Sequence, residues 1–132
     1  MLSILIPIYN CDCVALVTDL HRQGVSAELE FEIICLDDRS SAELRTRNRK
    51  LESLGNVVYE DLAENIGRSR IRNLLAEMAK YDTLLFIDCD MAVTSDSFVG
   101  KYLGAINGTG VVVGGVAYDK DQPDDPDNIL RW

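Results

Sequence analysis

An α/β fold, a mostly parallel sheet with helices on both faces, is the class this sequence predicts, and three observations carry the prediction. Short apolar runs alternate along the chain with segments whose apolar residues recur at helical spacing. One run, "TLLFID" (83–88), is nearly all apolar, as expected of a central strand covered on both faces. Two of the runs end in paired carboxylates, at Asp37 and Asp38 and at Asp88 and Asp90. In sheets of this kind the carboxyl ends of the strands are where ligands bind.

Taken in order, "LSILIPI" (2–8) reads as a buried strand. Residues 12–24 follow with Val14, Val17 and Leu20 at helical spacing and stop at Gly24. "FEIICLDD" (31–38) is the second strand. Ser40 and Glu43 have capping-box spacing, and Leu44, Leu51 and Leu54 give the stripe of a helix ending near Gly55. "NVVYE" (56–60) is a short third strand. In "NIGRSRIRNLLAEMAK", Ile71, Leu74, Leu75 and Met78 follow the pattern of an amphipathic helix. The 83–88 strand comes next, then a helix from about 95 with Phe98, Val99, Tyr102, Leu103 and Ile106 on one side. "GVVVGGVAY" (110–118) is expected to be a fifth strand, its glycines marking a bulge or a close approach to a ligand. The polar segment 119–128 reads as a mobile loop.

At 132 residues the chain is one domain, 1–132, with 47% apolar and 27% charged residues. Its net charge of -9 argues against nucleic acid as a partner. The four cysteines, Cys11, Cys13, Cys35 and Cys89, include no CxxC pair and read as small hydrophobes. "MLSILIPIYN" lacks a basic start, and no apolar stretch approaches the ~20 residues that span a bilayer. The expectation is a cytoplasmic protein, with any membrane association residing in parts outside this chain.

Asp88 and Asp90 flank Cys89, and on a strand they would point to one side. Either they end the strand and cap a turn, or they converge on a hard divalent cation. Asp37 and Asp38 have two readings as well: N-cap and first-turn acid, or acceptors for a nucleobase N–H and ribose hydroxyls. Arg68, Arg70 and Arg72 open a helix, where positive charge opposes the helix dipole. A bound phosphate would resolve that conflict, with Arg68 and Arg72 on one face and Arg72 the stronger candidate. His21 lacks an acidic partner at helical spacing and reads as structural.

Four segments together, "SILIPIYN", "EIICLDDRSS", "NIGRSRIRN" and "LLFIDCDM", resemble in order and spacing the inverting family-2 glycosyltransferases of GT-A fold. The resemblance runs from residue 3 to about 118. It implies a Rossmann-like GT-A domain that binds a nucleotide-diphosphate sugar, with a lean to uridine. It places Pro7, Ile8 and Tyr9 at the base and ribose, and Asp38 on the base with Asp37 beside it. Gly67 and Arg72 fall near the diphosphate or the aspartates, Asp88 on ribose or sugar, and Asp90 as the main ligand, with Asp88, to Mn²⁺ or Mg²⁺. The activity implied is metal-dependent transfer of a monosaccharide, with inversion, to a hydroxyl acceptor such as a glycan or lipid-linked sugar, in polysaccharide or glycan biosynthesis.

Two departures accompany the resemblance. Met91 stands where many members carry a third carboxylate. The acceptor region and its general base are expected beyond Trp132, so no catalytic base is assigned within the chain, which is expected to be inactive alone. Two rival readings remain. A haloacid-dehalogenase-type phosphatase would use Asp88 as nucleophile and Asp90 as acid, although Ala92 and Val93 do not complete that motif. A non-catalytic nucleotide-binding module is the other.

Overall fold

The computed structural model describes residues 1–106, 110–115 and 117. Its sheet has four strands: β1 (Leu2–Ile8), β2 (Phe31–Asp37), β3 (Val57–Asp61) and β4 (Leu84–Phe86). Their order is β3-β2-β1-β4 and every pairing is parallel. The helices are α1 (Val14–Ser26), α2 (Ala42–Asn48), α3 (Arg68–Met78) and α4 (Phe98–Ala105), with a 3-10 turn at Arg49–Ser53 after α2. Building outward from β1 to β3 and then crossing back to β4 reverses the direction of strand addition. The reversal falls between β1 and β4, where a crevice opens at the carboxyl ends.

Strand alternation divides the core into two layers. Ile4, Ile6 and Ile8 of β1 with Ile33 and Cys35 of β2 meet Val17 and Leu20 of α1 on one face, where Val99 of α4 and Leu51 also pack. On the other face Leu5, Ile34 and Leu36 meet Ile71 and Leu75 of α3. Burial of one such side chain contributes roughly 1.5–3 kcal/mol, so these two layers supply most of the driving force for folding. Gln23 of α1 fastens α4: its side-chain amide donates to the Ser95 carbonyl at 3.0 Å and accepts from the Val99 N–H at 3.1 Å.

Three expectations need correction. The 83–88 run is not a central strand: β4 spans only three residues at the sheet edge among the described residues, and Leu84 and Phe86 remain 39% and 41% exposed. α3 packs mainly over β1 and β2, so Leu84 and Phe86 are only partly covered among the described residues. Residues 110–115 and 117 form no strand, so the expected fifth strand is not seen there, while 116 and 118 lie outside the described residues. The helix after β2 is interrupted, and its N-cap is Ser41, whose Oγ accepts from the Leu44 N–H at 3.4 Å. Ser40 is drawn elsewhere, as described below. The loop expected at 119–128 also lies outside the described residues.

Candidate functional site

The crevice between β1 and β4 holds a cavity of about 580 Å³, bounded by residues from each of the four motif segments. The exit of β1 contributes Pro7, Ile8, Tyr9, Asn10 and Cys11, and the end of β2 contributes Asp38. Gly67, Arg68 and Arg72 come from the start of α3, and Asp88, Cys89 and Asp90 from the turn after β4. Tyr9 is 57% exposed at its edge, an aromatic face with nothing stacked on it among the described residues.

The β1 and β2 loops are held by an internal network. The Asn10 N–H donates to Ser40 Oγ at 2.8 Å, and the Ser41 N–H donates back to Asn10 Oδ1 at 2.9 Å. This clasp is what removes Ser40 from capping α2. The buried Asn48 adds a second tie, accepting from the Cys13 N–H at 3.2 Å and donating to the Cys11 carbonyl at 2.9 Å. Neither Asn48 nor this clasp is visible in the sequence as a site feature. An Asn on a helix face has no local pattern that reveals what it reaches.

The two aspartates of the second segment separate. Asp37, expected in the donor pocket, is fully buried and outside the cavity lining: Oδ1 accepts from the Ser40 N–H at 2.7 Å and Oδ2 from the Tyr59 hydroxyl at 2.9 Å. As residue 37 it continues the alternation of Phe31, Ile33 and Cys35 into the core. Burial, and then the bond to Asp37, push the Tyr59 phenol well above its ordinary value. Asp38 does reach the cavity wall, where its carboxylate accepts from the Ile66 N–H at 2.6 Å and the Gly67 N–H at 2.9 Å. Its carbonyl oxygen accepts from the Asn65 side chain. Asp38 thereby sets the loop that starts α3. Gly67 sits at φ +86°, ψ 160°, a region essentially restricted to glycine, although open space surrounds its Cα. Conformation, not crowding, requires glycine there.

The third and fourth segments meet at Asp88. Arg72 Nη2 donates to Asp88 Oδ1, and Arg68 Nη2 donates to Oδ2 at 3.4 Å. The positive charge at the start of α3 therefore has an anion within the chain, the Asp88 carboxylate. Arg70 makes no ion pair among the described residues. Asp88 and Asp90 do line one cavity, but for a different reason than strand alternation. β4 ends at Phe86, and residues 88–91 form a turn closed by the Met91 N–H on the Asp88 carbonyl at 3.2 Å. Cys89 is part of this turn. The Cys11 thiol donates to the Cys89 carbonyl at 3.2 Å, tying the turn to the β1 loop. Burial first, and then the neighbouring Cys89 thiol, push the Cys11 thiol up to about 12, so it lines the cavity uncharged at neutral pH. Cys13 and Cys35 are buried, as small hydrophobes should be, and the four thiols are free.

Among the described residues no group of three His, Cys, Asp or Glu side chains is arranged to hold a metal ion. Two carboxylates on one turn still suit a hard cation that takes the rest of its oxygens from phosphates and water, as Mg²⁺ commonly does. No described helix is long and apolar enough to cross a membrane.

This arrangement, a parallel sheet with a crevice at its switch point walled by strand-end aspartates and a glycine-led helix, defines a Rossmann-like domain of the GT-A kind. The chain belongs to glycosyl transferase family 2, whose pattern it matches over residues 3–131. It is 33% identical to the chondroitin synthase of Escherichia coli over 94 residues, 69% of this chain and 13% of that protein. In fold it is similar to S. aureus TarS in complex with UDP: TM-score 0.65, 24% identity, 85% of this chain and 38% of that one. The mannosyltransferase PcManGT from Pyrobaculum calidifontis, in complex with GDP-Man and Mn²⁺, has a TM-score of 0.60 at 13% identity, covering 77% of this chain and 31% of that one. The chain thus spans well under half the length of each of these proteins. Family membership leaves the phosphatase alternative without support.

Proposed function

We propose that the protein binds a nucleotide-diphosphate sugar, a UDP-sugar in particular, as the donor side of a family-2 sugar transferase. The observation that carries the reading is that one cavity gathers residues from all four motif segments. The UDP of the TarS complex and the GDP-Man and Mn²⁺ of PcManGT support it by likeness of fold.

In this reading Pro7, Ile8 and the exposed Tyr9 border the base and ribose. Asp38 accepts a base N–H through lone pairs that Ile66 and Gly67 leave free, since a carboxylate offers about four such sites. Asp37 acts at one remove, by fixing Ser40 and so the clasp to Asn10. The free N–H groups at the start of α3, with Arg68 and Arg72, face the diphosphate. Asp90, with Asp88, would hold Mn²⁺ or Mg²⁺, which when bound supplies Lewis-acid stabilisation of the leaving diphosphate. The acceptor is a hydroxyl of a glycan or lipid-linked sugar, and transfer proceeds with inversion.

Calorimetric titration with UDP and with uridine, in Mn²⁺ and then in chelator, tests the reading. UDP affinity should fall at least about tenfold on chelation while uridine is unaffected, and Asp90→Ala should reproduce the chelator's effect. Equal UDP affinity in both conditions would remove the cation from the site.

A further inference from the structure

The two carboxylates of the 88–91 turn are unequally engaged. Asp88 has a guanidinium on each oxygen, from Arg72 and Arg68, whereas Asp90 makes no ion pair among the described residues. The local charge is therefore two guanidinium groups against two carboxylates, with both positive charges gathered on the inner one. A bare divalent cation approaching the turn finds only Asp90 free and two like charges beside it. A nucleoside diphosphate finds the reverse: two guanidinium groups and the N-terminal N–H groups of α3, a set suited to a multiply charged anion.

The arginines also have room to change partners. Arg68 is 78% exposed at its side chain, and Arg72 is 27% exposed. Arg72 and Asp88 form part of the wall of a second cavity, of about 520 Å³, as well as of the first, so open volume flanks the pair on both sides.

We propose that Arg68 and Arg72 guard Asp88 and so impose an order on binding: the pocket takes the nucleoside diphosphate first or already carrying its cation, and does not take the cation alone. The diphosphate draws the guanidinium groups from Asp88 onto its own oxygens, and only then do both carboxylates of the turn become ligands. The two arginines are positioning residues that decide when the cation site exists. This deepens the donor reading given above and rests on it.

The test measures Mn²⁺ binding without nucleotide, by calorimetry or water-proton relaxation, on the wild type, Arg72→Gln, Arg72→Lys and Arg68→Gln. Unfolding midpoints serve as the control for folding. Arg72→Gln should bind Mn²⁺ alone about tenfold more tightly than the wild type, because a like charge has left and Asp88 is exposed. Arg72→Lys, which keeps the charge, should stay close to the wild type. Arg68→Gln, altering an exposed side chain that leaves the fold intact, should change in the same direction by a smaller factor. A parallel titration of UDP with Mn²⁺ should show Arg72→Gln weakened, so that one substitution moves the two ligands in opposite directions. If wild type and variants bind Mn²⁺ alone equally while UDP with Mn²⁺ binds the wild type, the guard is overturned and the donor reading stands. If UDP with Mn²⁺ fails to bind the wild type at all, the donor reading falls and the order of binding with it.

Discussion

The two walls of the crevice are built differently. On the β1–β2 side, Ser40 joins Asn10 to Asp37, Asn48 ties the Cys11–Cys13 loop and Asp38 ties the loop before α3, all by hydrogen bonds, and Asp37 and Asn48 are fully buried. On the β4 side a three-residue edge strand leads into a turn with a half-exposed Asp88, held by two arginines, and an exposed Asp90, which makes no ion pair among the described residues. The contrast teaches where stability and ligand response reside. The first wall is finished by folding, since unsatisfied groups there would cost the fold directly. The second is held by charges that water and ligands can reach, and its final arrangement depends on what binds.

The largest expected effect breaks the finished wall. Asp37→Ala leaves the Ser40 N–H and the Tyr59 hydroxyl buried without their acceptor, and each such loss costs ~1–3 kcal/mol. Chemical denaturation should show a loss of about 4 kcal/mol. A loss below ~1 kcal/mol would mean that the network relaxes as freely as the opposite wall.

A second effect is carried by pH. Asp61, at the end of β3, is held below its ordinary value of 3.8 by the Arg45 hydrogen bond first and the Arg49 bond second. A depressed carboxylate contributes stability that is full above its unfolded value and is lost as pH falls through the folded one. Denaturation midpoints should therefore decline below about pH 4, and less steeply in Asp61→Asn. Tyr59 acts in the opposite sense: its phenol is raised above the ordinary 10.0, so its contribution is full below pH 10 and is lost as pH rises beyond. Tyr59→Phe should flatten the alkaline decline. An alkaline limb unchanged by Tyr59→Phe would separate Tyr59 from the buried network.

The smallest stability effect belongs to the open wall. Asp90→Ala should leave the unfolding free energy within ~0.5 kcal/mol of the wild type, as for an exposed residue that makes no ion pair among the described residues, while abolishing the cation dependence of UDP binding. A large loss of stability would place Asp90 in the finished network instead.

The sequence by itself determined the first three strands and the alternation of strands with helices, because period-2 and helical apolar patterns are local properties of the chain. Leu2–Ile8 and Phe31–Asp37 fall where the apolar runs place them, and the Ile71 to Met78 stripe builds α3. It also named most residues of the cavity wall, since carboxylates and glycines at strand ends stand out against apolar runs. Only the tertiary structure decided what those residues do to one another. Asp37 and Asp38 are chemically alike and adjacent, yet the pleat turns one into the core and chain direction sends the other to the α3 loop. Asn48 reaches the cavity loop across 37 positions to Cys11, and Arg72 reaches Asp88 across 16, distances over which no periodic signal survives. The edge position of β4 among the described residues was equally hidden: an apolar run records that a segment prefers burial, while the helices packed on its neighbours decide how much of that burial it receives.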